Sequence, residues 1–459
     1  MKLAECLNSA DIMTLRKVAE HYQFSCSRHS KMELIQEILY HFRSQSFLAE
    51  NVPQWGQTAS SALLRLAMDP RKSFSAEEIP AMFGCTIDDP PLQSALAEGW
   101  LFANTHVNGR FMFFIPDELR TVLRDAAVDR HSVGLVTDVD GPLVFQDEAH
   151  AMARDLDVFL EYVSHHDVRL TVDGAMYKRN LKEVLQLLEV PEEPPSDSWR
   201  FGYGRRFHEY PDRLALLYDF AYQSQLLRET DDGWLVTGNK VSEWLSMGPV
   251  ERARQLLKCY ISVYRRPILR LPLIIQLLCA VSPDWIRTDT MLSMLGDLVK
   301  DYYYDSREQV WNVRVLKMLT HLGVIRIGQD EASHAWFQIT KLGQQLITPD
   351  DVEEHENQRE MASRILIVQP NFDIVVTADQ PVITAELANI ADLTQAGMVR
   401  VYRMSEESVK RGLLGGKSGD DWVNFLARHT QATLPGNVER MIREWTKPPI
   451  TEIASAEQA

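Results

Sequence analysis

With 459 residues, the chain is long enough for three or four domains at roughly 100 to 200 residues each. Its 45% hydrophobic and 24% charged content belongs to a folded globular protein and excludes a fibrous or wholly disordered one. The formal charge of −16, from 64 acidic against 48 basic residues, opposes association of the whole molecule with nucleic acid or anionic membrane, so any such site has to be a local patch. Cys6, Cys26, Cys85, Cys259 and Cys279 are scattered, with no C-x-x-C spacing, which argues against a zinc site or a disulfide framework. The N-terminus meets Glu5, Asn8 and Ser9 before any apolar run, so no secretory signal is expected and the protein is assigned to the cytoplasm. Leu271 to Val281 is the longest apolar stretch. It has about half of the ~20 residues a bilayer requires and is interrupted by Gln276, so a buried helix is expected there.

In chain order, Ile12, Leu15, Val18 and Ala19, then Leu34, Ile35, Ile38 and Leu39, give two helical stripes separated by the polar loop Ser25 to Ser30. Ser30 and Glu33 have the spacing of a capping box, which places a helix start there. This hairpin, opening its second helix with Lys31-Met32-Glu33-Leu34-Ile35, resembles the SAP-like and Rho N-terminal-like DNA-binding modules over residues 1–45. A helical hairpin that only docks on the next domain is the alternative.

A pattern then recurs three times: a helix, a short apolar strand, a turn, a second strand and a new helix start. The first copy runs from Trp100 through Asn108-Gly109 to Phe114. The second runs from Leu226 through Asp231-Asp232-Gly233 to Val236, and the third from Gly323 through Asp330-Glu331 to Ile339. Helices followed by a two-stranded hairpin are the plan of the winged helix. Three tandem units are expected, at 55–130, 133–262 and 265–348, the second interrupted by the acidic, proline-rich loop Val190 to Asp197. Residues 349–362 contain six acidic residues between Pro349 and Glu360 and read as an acidic linker.

From 363 to 447 the pattern is mixed. Strands are expected at Ile365 to Val368, Ile374 to Val376 and Val399 to Tyr402, with a helix over Leu387 to Leu393. Three amphipathic helices follow, the second capped by Ser418 with Asp421, and residues 448–459 form a tail. The blocks Leu366 to Val376, Val401-Tyr402-Arg403, Ser408 to Arg411, Phe425-Leu426 and Leu434 to Val438 look like the domain at the N-terminal side of XPB-type helicases, which also occurs in bacterial helicase-associated proteins. The resemblance implies DNA-related work beside a separate translocase. It makes Tyr402 and Trp422 candidates for partner contact, although either would serve equally well as core. The fold class expected is multi-domain and mainly α, with tandem winged-helix units and a small C-terminal α/β domain.

Candidate catalytic motifs are weak. Arg411 to Ser418 approaches a phosphate-binding loop, but Arg411 occupies its first glycine position. Asp147-Glu148-Ala149-His150 spells a magnesium-binding box but has no phosphate loop upstream, and reads instead as the acidic first turn of a helix. No active site and no cofactor are expected. The cations carry more information. Arg252 to Arg270 holds Arg252, Arg254, Lys258, Arg265, Arg266 and Arg270 without one acidic residue, interleaved with Tyr260 and Tyr264. That is a candidate nucleic-acid footprint. The other reading is a helix whose cations face acidic neighbours. Lys178 and Arg179, with Lys182 and Arg169, form a second cluster, and Arg314, Lys317 and His321 form a strip on the helix before the third hairpin. Arg200, Arg205 and Arg206 make a third cluster. The function expected is a non-enzymatic DNA-binding scaffold that presents a helicase or repair protein to DNA. The runner-up is a protein interaction adaptor without DNA contact, and a helicase enzyme comes third.

Overall fold

Helices form where the apolar stripes predict them, at Ile12–His21 and Lys31–Phe42, with Leu15, Val18, Leu34 and Ile38 facing inward. Ser30 Oγ accepts from the Glu33 amide, whereas the Glu33 carboxylate reaches past the cap to the Ser27 amide, so only half of the expected capping box forms. The computed structural model describes residues 1–52, 58–69, 71–83, 86, 88–105, 111–193, 210–264, 267–268, 270–281, 284–347, 364–397 and 399–447. It is mixed α and β, mainly helical, with four small sheets among these residues. Asn108-Gly109, Arg200, Arg205, Arg206, Arg265, Arg266, the 349–362 segment and the 448–459 tail lie outside them.

By packing, the chain divides into two units that do not follow chain order. Residues 1–145, 268–311 and 328–339 make the first, and 146–267, 312–327 and 340–459 the second. The stretch 265–348, expected as one unit, is therefore shared between them.

In the first unit the N-terminal helices and the first hairpin share one core, running from Leu7 and Phe42 to Trp100, Phe113 and Leu123. Tyr22 donates its hydroxyl to the Glu98 carbonyl, which ties the two parts together. Gly99 sits at φ +73, where a Cβ would meet Val18 at 3.2 Å, so the turn after the Pro90–Ala97 helix is held to glycine on two counts. Phe102–Thr105 and Phe111–Phe114 pair antiparallel, with Phe74–Ser75 on the outer edge. Leu271–Val281 is a helix with six buried residues, and no helix among the described residues is long and apolar enough to cross a membrane.

The second unit is built around the helix Ala151–His165. Against it lie the helices Lys178–Leu187, Asp212–Gln223 and Pro249–Tyr264 and the hairpin Leu227–Glu229 with Trp234–Thr237. The same unit contains the C-terminal domain. Its four strands lie in the order Leu366–Val368, Asp373–Val376, Arg400–Arg403, Asp392–Gln395, all antiparallel. The helix expected over Leu387 to Leu393 is displaced. The helix is Pro381–Leu387, a turn follows, and Asp392–Gln395 is a strand paired with Arg400–Arg403. Leu387, Ala388, Ile390 and Ala391 are all buried, so their apolar run reflects burial and not a helical period. The helices Glu406–Gly412, Gly419–His429 and Gly436–Trp445 complete the domain, and Ser418 with Asp421 closes a full capping box.

Candidate functional site

The helix Ala151–His165 carries acidic side chains where an apolar face would be expected. Positions two apart on a helix point about 200° apart, so Asp155 and Asp157 serve opposite sides of it. Both are buried, Asp155 completely.

On the first side, Asp155 Oδ2 lies 2.5 Å from Nη1 of Arg213, itself fully buried on Asp212–Gln223. The other carboxylate oxygen accepts from the Glu189 amide at 2.6 Å. Glu148 Oε2 stands 3.6 Å from the Arg213 guanidinium and 2.9 Å from His321 Nδ1, with which it shares a hydrogen bond. Glu192 takes the amides of Arg213 and Leu214 at 3.4 and 3.2 Å, capping their helix, and lies 3.8 Å from His321 Nε2. Arg314 pairs with Asp212 at 2.7 Å. Burial pushes Asp155 and Glu192 up from the ordinary carboxylate range. Burial also opposes ionisation of Glu148, but the His321 hydrogen bond, together with the His321 and Arg213 charges, outweighs it and holds that carboxyl down.

On the second side, Asp157 receives Trp244 Nε1 at 2.8 Å and Arg252 Nη1 at 2.7 Å. Arg252 also lies over the Trp244 ring and 3.6 Å from Asp379, which in turn pairs with Arg400 at 3.2 Å. One turn on from Asp157, Glu161 accepts the Tyr402 hydroxyl at 2.9 Å. Burial raises Asp157, drives Glu161 up to about 7 and drives the Tyr402 phenol well above its usual value. A cavity of about 140 Å³ remains here, lined by Asp157, Glu161, His165, Thr384, Asn389 and Arg400. The second side is thus a charged, hydrogen-bonded seat for the domain that supplies Asp379, Arg400 and Tyr402.

Residues 366–448 match the helicase conserved C-terminal domain. No curated protein matches the chain. The helicase-type domain is joined to Ala151–His165 by the Tyr402 to Glu161 hydrogen bond and to the Asp157-bound Arg252 by Asp379, and the match supports association with helicase machinery.

Several candidate residues change role. Arg252 is 1% exposed and neutralises Asp157, while Tyr260 and Tyr264 are fully buried, Tyr260 donating to the Arg314 carbonyl at 2.7 Å. None of the three is available to a phosphate or a base. In the strip Arg314, Lys317, His321 all three lie beside acidic groups, and only Lys317 also keeps solvent. Arg314 and His321 are buried against Asp212 and Glu148, and Lys317, 49% exposed, lies 4.0 Å from Glu192. Tyr402 is spent on Glu161, and Trp422 is core, its indole donating to the Gly412 carbonyl at 3.3 Å. Arg254 is half-exposed and paired with Glu251 at 2.7 Å, and Lys258 and Arg270 are exposed. Lys178 and Arg179 are exposed, the latter paired with Glu183 at 2.9 Å.

The weak catalytic motifs also have structural duties. Arg411 pairs with Asp392 at 2.7 Å, Lys417 pairs with Glu386 above the Trp422 ring, and Ser418 caps the following helix. The Asp147 to His150 segment precedes its helix and is not its first turn. Ala149 takes φ 45, and the Ala149 carbonyl sits where a Cβ on Gly323 would come within 2.0 Å of it. Asp155, Asp157, Glu161, Arg213, Asp379 and Arg400 are functional groups that the sequence does not single out. The signal present is a set of acidic residues on either side of the apolar stripe Leu156, Phe159 and Leu160.

Proposed function

We propose that this chain is a non-enzymatic, cytoplasmic, helicase-associated adaptor that works through protein contacts, with a separate motor supplying ATP hydrolysis. The observation that carries the reading is the fate of the helix before each hairpin, the element that would read a DNA groove in a winged helix. Pro90–Ala97 has no cation. Asp212–Gln223 has eight of its twelve residues buried, including Arg213. The helical segment before the third hairpin has Arg314 and His321 buried on acidic partners. In this reading the helix-and-hairpin modules are winged helices turned to protein binding, and the SAP-like hairpin is part of the same scaffold. The net charge of −16 agrees with it.

A DNA-binding scaffold is the second reading, and the exposed cations Lys178, Arg179, Lys182 and Arg169 keep it in play. Affinity capture of the full chain from native extract, with and without nuclease, separates the two. Capture of a helicase that survives nuclease supports the adaptor, and capture abolished by nuclease treatment supports DNA bridging. Purified protein is expected to lack DNA-stimulated phosphate release. Release that disappears in Lys417→Ala would make the chain an enzyme.

A further inference from the structure

The first unit contains an open groove of about 730 Å³. One wall is Lys31–Phe42 and Gln45–Asn51, contributing Leu39, Phe42 and Leu48. The other is the helix Asp117–Ser132, contributing Val122 and Ala126 to the floor. The rims differ in charge. On Asp117–Ser132, Glu118, Asp125 and Asp129 fall at i, i+7 and i+11, a single stripe along the lip, while Arg43 stands on the opposite wall. Glu118 accepts from the Leu3 amide at 2.9 Å. Asp125 and Asp129 are exposed and enter no ion pair among the described residues.

We propose that this groove docks an amphipathic helix from a partner protein, apolar on one face and bearing Lys or Arg along one flank. An apolar trough between two helix walls takes the apolar stripe of a third helix. The acidic lip spans eleven residues, about 16 Å, which matches roughly three turns of the incoming helix. Three carboxylates along one rim select cations, steer their approach and repel nucleic acid and anionic membrane. They also disfavour a second copy of this chain, which carries −16. Arg43 on the other wall fixes which way round the helix lies.

The test uses the full chain and a fluorescein-labelled peptide of about 14 residues built from Leu, Ala and Lys, with leucines at i, i+3, i+4, i+7 and lysines along one flank. Anisotropy should report saturable binding at physiological salt, with hydrogen-exchange protection confined to 39–52 and 118–129. Asp125→Lys with Asp129→Lys should weaken binding at least tenfold, and so should Val122→Arg, which fills the trough. Both aspartates are exposed, so their variant keeps the test valid if Val122→Arg fails to fold. The proposal is overturned by any one of several results: no binding, equal binding of a scrambled peptide or of one with Glu in place of Lys, or unchanged affinity in the Asp125/Asp129 variant. Self-association of the chain that disappears in Val122→Arg would overturn it too, by assigning the groove to a second copy.

Discussion

Two helices of the second unit look alike in sequence and behave in opposite ways. Pro249–Tyr264 and Lys178–Leu187 are both cationic and both amphipathic. The first buries Arg252 against Asp157 and Trp244 and packs Tyr260 at a tilt against Tyr264, leaving, of its cations, only Arg254 and Lys258 toward the surface. The second leaves Lys178, Arg179 and Lys182 in solvent. The difference lies outside either helix. Ala151–His165 presents Asp157 to one, and no comparable buried carboxylate faces the cations of the other among the described residues. A cation run therefore states a demand for counter-charge, and the fold decides whether protein or an outside ligand meets it.

The largest break in this comparison is Arg252→Met. It strands Asp157 without its buried counter-charge and should cost about 3–5 kcal/mol of unfolding free energy, read from chemical denaturation. Adding Asp157→Leu should recover part of that loss. If the single variant unfolds like the parent, the pair does not hold Pro249–Tyr264 to Ala151–His165.

A smaller effect concerns pH. Glu161 is raised from an ordinary 4.5 to about 7, so the folded chain holds a proton that the unfolded chain releases over that interval. Its contribution is therefore fully present below about 4.5 and is lost as pH rises through about 7. Glu161→Gln, which still accepts the Tyr402 hydroxyl, should flatten the fall of the thermal midpoint across this window. An identical slope in both proteins would place the titration elsewhere.

The smallest structural effect is expected at the exposed helix, where Lys182→Ala should leave the denaturation midpoint unchanged. Function there is read separately. If the chain binds DNA, Lys178→Glu with Lys182→Glu should lower the slope of log affinity against log salt by roughly 0.9 for each phosphate no longer neutralised. Binding by the parent with the slope unaltered in the variant would remove this helix from any DNA site.

By itself the sequence determined the helices of the N-terminal hairpin, the three two-stranded hairpins, the buried Leu271–Val281 helix, most of the C-terminal domain's strands and its Ser418 cap. These are local: apolar period, turn chemistry and a capping hydroxyl act within a few residues and are legible in one segment. The Leu387 to Leu393 segment marks the limit of that logic, since a buried turn and strand share the composition of a helix. Only the tertiary structure decided which charges meet. Asp157 and Arg252 are 95 residues apart, Glu148 and His321 are 173 apart, and Glu161 and Tyr402 are 241 apart. Coulomb attraction depends on distance in space and on the dielectric around the pair. Both are set by packing, so Arg252, Tyr260, Arg314, Tyr402 and Trp422 carried the chemistry of surface ligands in sequence and became interior groups once the chain closed around them.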